Sequence, residues 1–178
     1  MPTRTITINR APVLTLWAAV VAERLGFDHD EALTLGKAVA GLNAYAKGVR
    51  LGIYEPTPKD VAEQRKKLRH GEQLHVDLLH RAVPVTRTPE GLRALAKEKP
   101  IAPESVERYL AGKFGTSLET VTRSMKKLAG SLRPQELAAK AYKLYEEFRP
   151  DIPEGTRGWG ASGILDLNTI EALAKAGR

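Results

Sequence analysis

The segment from Val13 to Leu25, VLTLWAAVVAERL, constrains the fold more than any other stretch, because it is apolar on nearly every side. A helix without a polar face has no side for solvent, so other elements must surround it. The segment is also too short to cross a bilayer, which takes about 20 apolar residues. We predict a central helix that ends at Gly26, and its core residues are Val13, Leu14, Leu16, Trp17, Val20, Val21 and Leu25.

A second helix is predicted from Glu31 to about Lys47. Asp28 and Glu31 have the spacing of a capping box, in which each side chain accepts a hydrogen bond from the other residue's backbone amide. The stretch Lys47-Gly48-Val49-Arg50-Leu51-Gly52 then forms a basic loop with two glycines. Such a loop fits either the end of a helix, where cations complement the dipole, or a phosphate site.

Small residues recur every four positions along this second helix, at Ala32, Gly36, Ala40 and Ala44. Such a row forms a shallow groove in which a neighbour can pack closely. Trp17 either lies over this groove or lines a ligand pocket, and burial in the core is the favoured interpretation. A glycine costs up to ~1 kcal/mol in a helix interior. We therefore expect both Gly36 and Gly41 to mark a close approach of two backbones.

Extended patterns occur in two places. Threonine and isoleucine alternate between Thr3 and Ile8, as in an edge strand or a terminal arm. Leu74–Leu79 and Ala82–Thr86 are candidate strands, although Pro84 lacks the amide that a strand ladder needs. The predicted fold class is therefore mainly α: a multi-helix bundle with a short β element either near the N-terminus or within residues 74–87.

A further helix is predicted to start at Thr88-Pro89-Glu90, which supplies a cap, a proline and an acid. Its predicted inner face consists of Leu92, Leu95 and Ala96. With the two helices that follow, it gives a three-helix unit at residues 88–129. The predicted organisation is an N-terminal helical hairpin at 1–55 and a helical region at 56–178, within one compact domain.

The two helices that follow are joined by a very short turn. Pro103 and Glu104 suit the first turn of a helix that runs to Gly115, which can take the left-handed conformation that ends a helix. Ser117 is the predicted N-cap of the next helix. Periodicity predicts an inward stripe of Leu118, Val121, Met125 and Leu128 and an outward face of Glu119, Thr120, Arg123, Lys126 and Lys127.

One run of residues in this pair matches a known motif. LAGKFGTS, from Leu110 to Ser117, is followed by Glu119-Thr120-Val121 and Lys126-Lys127-Leu128. This region, residues 104–128, resembles the helix-turn-helix of bacterial transcription regulators. In that motif a small residue (here Ala111) lets the helices approach, a glycine makes the turn, and a branched residue (here Val121) locks the second helix on the first. The resemblance implies that the second helix lies in a groove of duplex DNA.

The outward face of the second helix is polar and mostly basic, as a helix in a DNA groove requires. The formal net charge of +7 also favours an anionic partner. We predict a non-enzymatic DNA-binding protein of the regulator class that the resemblance implies, with duplex DNA as its partner and no cofactor. The predicted contact residues are Lys113, Ser117, Thr120, Arg123, Lys126 and Lys127.

Other sequence patterns give weaker evidence of a functional site. His70, His75 and His80 are five residues apart, a spacing that turns successive side chains away from one another, so no metal site is predicted. Gly158–Gly163 matches G-x-G-x-x-G but lacks the preceding strand and the immediate helix of a dinucleotide fingerprint. No nucleophile, base and orienting residue occur at a recognisable spacing, so no catalytic residue is predicted.

An alternative function is that of a helical protein-interaction or structural protein. The predicted helix from Gln135 to Phe148 has an apolar stripe that either packs on the three-helix unit or forms a homodimer interface. The predicted basic helix Lys59–Arg69 is a second candidate surface. The chain has no cysteine, which fits a reducing cytoplasm, so the predicted location is cytoplasmic without membrane contact.

Overall fold

The computed structural model describes residues 5–50, 74–96, 99–150 and 162–176, and for residues 43–50, 74 and 162 the backbone alone. Within these ranges the chain forms six α-helices, one short 3-10 turn and six strands in two sheets. The elements are β1 Thr5–Asn9, α1 Arg10–Arg24, α2 His29–Arg50, β2 Leu74–Leu78, β3 Arg81–Thr88, β4 Gly91–Ala96, β5 Lys99–Pro100, α3 Pro103–Phe114, the turn Gly115–Ser117, α4 Leu118–Gly130, α5 Pro134–Phe148, β6 Ser162–Asp166 and α6 Leu167–Ala176. The predicted mainly α bundle is wrong, because two sheets make the fold mixed α/β.

Helix α1 lies at the centre of the fold, as its apolar composition predicted. All of its residues from Pro12 to Ala22 are buried, and it contacts α2, α3, α4 and α5. Trp17 is fully buried, and its indole Nε1 donates a hydrogen bond to the Ala141 carbonyl oxygen of α5 at 2.9 Å. The ring of Phe148 lies edge-on to the indole, with centroids 5.3 Å apart. The predicted burial of Trp17 in the core is therefore confirmed, and its described contacts are with α5 rather than with the groove of α2.

The backbone of α1 itself occupies that groove. A Cβ added at Gly36 would collide with the Thr15 carbonyl oxygen and lie 3.2 Å from the Ala19 Cβ. Two helices this close leave no room for an indole ring between them. Gly41 differs, since it is exposed and no atom lies within 4 Å of the place its Cβ would take. The predicted close approach is confirmed at Gly36 and wrong at Gly41.

The start of α2 takes the place of a neighbouring strand along part of β4. The predicted capping box is present: the Glu31 amide donates to Asp28 Oδ1 at 2.8 Å, and the Asp28 amide donates to Glu31 Oε1 at 3.1 Å. Glu31 Oε2 accepts a hydrogen bond from the Leu92 amide at 2.9 Å. Thr34 Oγ1 accepts one from the Ala94 amide at 3.1 Å. Side chains of α2 thus satisfy backbone donors of β4 that no strand pairs with.

The predicted helix starting at Thr88 is wrong, because the segment is a β-hairpin. Thr88 pairs with Gly91 across the turn, and the Thr88 hydroxyl donates to the Gly91 carbonyl oxygen at 2.8 Å. Gly91 has a φ of +125°, which other residues rarely adopt. Besides its pairing with β3, strand β4 donates backbone hydrogen bonds to Glu31 and Thr34, about 60 positions away. A local sequence pattern cannot indicate contacts at that separation. The expected three-helix unit at 88–129 therefore begins with strands.

Both regions with extended patterns are strands. β1 pairs antiparallel with β6, with Thr5 opposite Asp166 and Asn9 opposite Ser162. In the second sheet the order is β2-β3-β4-β5, and Pro84 of β3 stands opposite His75 of β2. Strand β4 pairs with β3 only from Val85 onward. Pro84 is tolerated because β3 has a partner strand on one side only at that position.

Replacing Glu31 by glutamine is expected to lower the free energy of unfolding by about 1–2 kcal/mol. The amide group has one acceptor oxygen, whereas the carboxylate serves the Asp28 and Leu92 amides with separate oxygens. Chemical denaturation measures the difference. Glu90→Gln in the exposed β3–β4 turn is the control and is expected to change stability by less than about 0.5 kcal/mol. Equal losses for the two variants would contradict the assignment.

Candidate nucleic-acid interface

The turn between α3 and α4 has the predicted glycine but not the predicted cap. Gly115 ends α3 with a φ of 57° and a ψ of −133°, so its φ is positive but its conformation is not the predicted left-handed helical one. The 3-10 turn leads directly into α4. Ser117 has a helical backbone, and its side chain makes no capping hydrogen bond. An N-cap side chain needs an extended backbone to reach the next amides, so Ser117 cannot act as one here.

The apolar side of α4 is anchored in the core. Val121, Met125 and Leu128 are buried, as predicted, and Leu118 is half-buried. This stripe packs mainly on α1 and α6 and less on α3. Ala111 of α3 is exposed, so it is not the small residue between two helices that the resemblance implies. The position of α4 is thus set by the central helix and the last helix of the described chain.

The opposite side of α4 faces solvent along its length. Its exposed residues are those predicted: Glu119, Thr120, Arg123, Lys126 and Lys127. A shallow open groove runs between the side chains of this face. Arg123 Nη2 lies 3.1 Å from Glu119 Oε1, and the Arg123 side chain remains 65% exposed. Within the described residues, Lys126 and Lys127 have no carboxylate at ion-pair distance.

The remaining predicted contacts lie near the start of this face. Lys113 is exposed in the last turn of α3. Ser117 is half-buried in the 3-10 turn, whereas Thr120 is fully accessible. The exposed face of α4 and Lys113 therefore make up the candidate interface, with Ser117 at its margin.

Sequence reasoning missed one basic residue, Lys37 of α2. Its ammonium lies 3.8 Å from the centroid of the Tyr109 ring on α3. Burial, and secondarily the charge of Lys113, lowers the pKa of Lys37. Burial likewise raises the pKa of Tyr109. Only tertiary packing brings α2 and α3 together, so the sequence carries no signal of this contact.

Replacing Lys113 by glutamine is expected to raise the pKa of Lys37 part of the way toward its ordinary value. The change removes the repulsion between the two ammonium groups but leaves the larger effect, burial, in place. An NMR titration of the Lys37 side chain measures the shift. Lys140→Gln on α5 is the control and should leave that pKa unchanged. An unchanged pKa in the Lys113 variant would show that the two amines do not interact.

The other sequence patterns do not converge on a second site. His75 is exposed on β2, His80 lies in the β2–β3 turn, and His70 falls outside the described residues. In the described part of the chain, no three metal-binding side chains form a group. The predicted helix Lys59–Arg69 also lies outside the described residues.

Two predicted loops are also partly described. Helix α2 extends to Arg50, so the loop predicted from Lys47 is wrong over those residues. Of Gly158–Gly163, only Ser162 and Gly163 are described, and they begin β6. Asp166 caps α6, since its Oδ1 accepts a hydrogen bond from the Asn168 amide at 2.9 Å.

The apolar stripe of α5 is buried inside the molecule, but not mainly on the unit at residues 88–129 as the first of the two predictions had it. Its buried residues are Leu137, Ala141, Tyr145 and Phe148. The stripe packs toward α1 and α6. Across the described ranges, no helix combines the length and apolar character needed to cross a bilayer.

No family model matches the chain, and neither a curated protein nor a solved structure is significantly similar to it. Its function is therefore inferred from the geometry and charge of the described residues.

Proposed function

We propose that the protein is a non-enzymatic, cytoplasmic DNA-binding protein that contacts duplex DNA through the exposed face of α4. The observation that supports this most directly is the row of Arg123, Lys126 and Lys127 in solvent, on a helix whose other side is held in the core. A helix already held in place loses little conformational entropy when it binds. Cations presented in this way suit the regularly spaced phosphates of a duplex.

The ion pair on this face is a small obstacle to binding. The exposed pair of Glu119 and Arg123 contributes only about 0.3–0.5 kcal/mol. A guanidinium makes stronger, two-pronged hydrogen bonds to a phosphate or to the edge of a guanine. Arg123 can therefore exchange Glu119 for DNA, while Lys126, Lys127 and Lys113 contact phosphates.

Titration of the protein with random-sequence duplex DNA over a salt series tests this proposal. Four cationic contacts give a slope of about −3 to −4 in a plot of log K against log salt. The affinity should then fall roughly 100-fold between about 50 and 200 mM salt. No binding at the lowest salt, or binding that hardly depends on salt, would rule out this mode.

A role in transcription regulation, the class that the resemblance implies, requires preference for particular sequences. Selection from a random duplex pool is expected to enrich a site bound at least about 1000-fold more tightly than random DNA. A two-fold symmetric site would indicate a homodimer. Equal affinity for all sequences would make the protein a general DNA-binding protein instead.

A further inference from the structure

The contact between α2 and α3 places Lys37 of α2 over Tyr109 of α3, one helical turn from Lys113. We propose that Lys37 and Lys113 form a phosphate-binding pair that takes one phosphodiester of the bound duplex. The assignment of the phosphate to DNA rests on the function proposed for α4, whereas the pair itself is defined by the packing of α2 on α3.

The Tyr109 ring positions the ammonium of Lys37. The two groups are 3.8 Å apart, and the Lys37 side chain is half-buried. Tyr109 and Lys113 are one turn apart on α3, so they share a face of that helix. The contact with Tyr109 thus places Lys37 against the face of α3 that carries Lys113 before any ligand arrives. A side chain that is already ordered loses less rotational freedom on binding than an ordinary surface lysine.

The two amines share this surface without a counter-charge. Among the described residues, no carboxylate lies at ion-pair distance from either lysine, and the nearby Glu107 pairs with His29 Nε2 at 3.1 Å instead. Burial and the Lys113 charge both disfavour the protonated form of Lys37. The dipole of α3 favours a cation in its last turn, such as Lys113. This effect does not account for the positive charge of Lys37 on α2. An anion between the two amines would offset both unfavourable effects.

The position of the pair suits the sugar-phosphate backbone of DNA held by α4. Lys113 lies two residues before Gly115, where the turn into α4 begins. The pair therefore lies at the end of α3 that joins the amino end of α4. A DNA strand that runs along the exposed face of α4 toward its amino end would bring a phosphate to Lys37 and Lys113.

Replacing Lys37 by methionine tests the contact with DNA. Methionine keeps an apolar stem beside Tyr109 and removes the charge. We expect the affinity for random duplex DNA to fall several-fold at roughly 0.1 M salt and the salt slope to decrease by less than about 0.9, because Lys113 still neutralises part of the charge of the shared phosphate. Lys113→Gln should act similarly, and Lys37→Arg, which keeps the charge, should bind like the unaltered protein. Lys143→Gln on α5 is the control.

A titration of the unaltered protein with inorganic phosphate, at constant ionic strength, separates the pair from the function of α4. The side-chain NMR signals of Lys37 and Lys113 are expected to shift together and to saturate, whereas chloride at the same ionic strength should not shift them. Signals that shift with phosphate while Lys37→Met leaves DNA binding intact would support the pair but assign it to a free phosphate ligand.

Two results would overturn the proposal. The first is unchanged DNA affinity and salt slope in both lysine variants, together with no response to phosphate, while changes on α4 still weaken DNA binding. The function of α4 would then stand without the pair. The second is a loss of affinity in Lys143→Gln as large as that in Lys37→Met, which would show that only net charge matters.

If DNA does not bind at all, the phosphate titration alone tests the pair. The absence of a shift in the signals of Lys37 and Lys113 would then refute it.

Discussion

Replacing Arg123, Lys126 and Lys127 together by glutamine is expected to weaken binding to random duplex DNA about 100- to 1000-fold at roughly 0.1 M salt. Each phosphate contact releases counterions and adds about 0.9 to the salt slope, so the slope should fall by nearly three. All three side chains are exposed, so the folded protein should tolerate the changes. Fluorescence anisotropy over a salt series measures affinity and slope, and circular dichroism confirms the fold.

A charge-matched variant distinguishes a site from general attraction. Lys99, Lys140 and Lys143 are exposed on β5 and α5, and their change to glutamine removes the same net charge. We expect this variant to lose much less affinity and to keep its salt slope. Equal losses in the two triple variants would show that α4 is not the binding surface.

Glu119→Gln provides a change of opposite sign on the same face. It removes the carboxylate that lies 3.1 Å from Arg123, so both the repulsion of phosphates and the competing ion pair disappear. The affinity for DNA should rise several-fold, roughly the effect of one contact. A decrease would mean that Glu119 itself contacts the DNA, for example as an acceptor for a cytosine amino group.

Replacing Gly36 by alanine is expected to destabilise the fold by about 2–3 kcal/mol, toward the upper end of the usual cost of overpacking. The new Cβ would collide with the Thr15 carbonyl oxygen and press on Ala19. These are backbone and short side-chain atoms of the central helix, which cannot rotate away. The helix-propensity gain of up to ~1 kcal/mol is smaller than this cost. Chemical denaturation measures the free energy of unfolding.

Gly41→Ala is the matched control, because it makes the same chemical change on the same helix. Gly41 is exposed and has open space around the position of a Cβ. This variant should therefore gain up to ~1 kcal/mol of stability. If the two variants changed stability in the same direction, the close contact of α1 and α2 at Gly36 would be wrong.

Local chemistry was sufficient where a residue's environment is set by its own helix. The burial of α1 follows from its lack of a polar side, and Asp28 with Glu31 caps α2 because both groups lie within one turn. The exposed face of α4, with Arg123 as its central cation, follows from helical periodicity. The positive φ at Gly115 needed only the one residue type that adopts it readily.

Local chemistry misled where a short pattern fits two structures. Leu92 and Leu95 have helical spacing within a strand of only six residues, and six residues are too few to separate the two periods. Ser117 is a residue type that often caps helices, but it is the last residue of the 3-10 turn and has a helical backbone.

The sequence by itself determined which helix is central, where α2, α3 and α4 begin, and which side of α4 carries its charges. These features depend on residues within one or two turns of each other, whose relative positions the helix dictates. Only the tertiary structure decided that Glu31 binds β4, that Trp17 faces α5, and that Lys37 lies over Tyr109. Those contacts join residues roughly 60 or more positions apart, and the packing of whole elements against one another selects them.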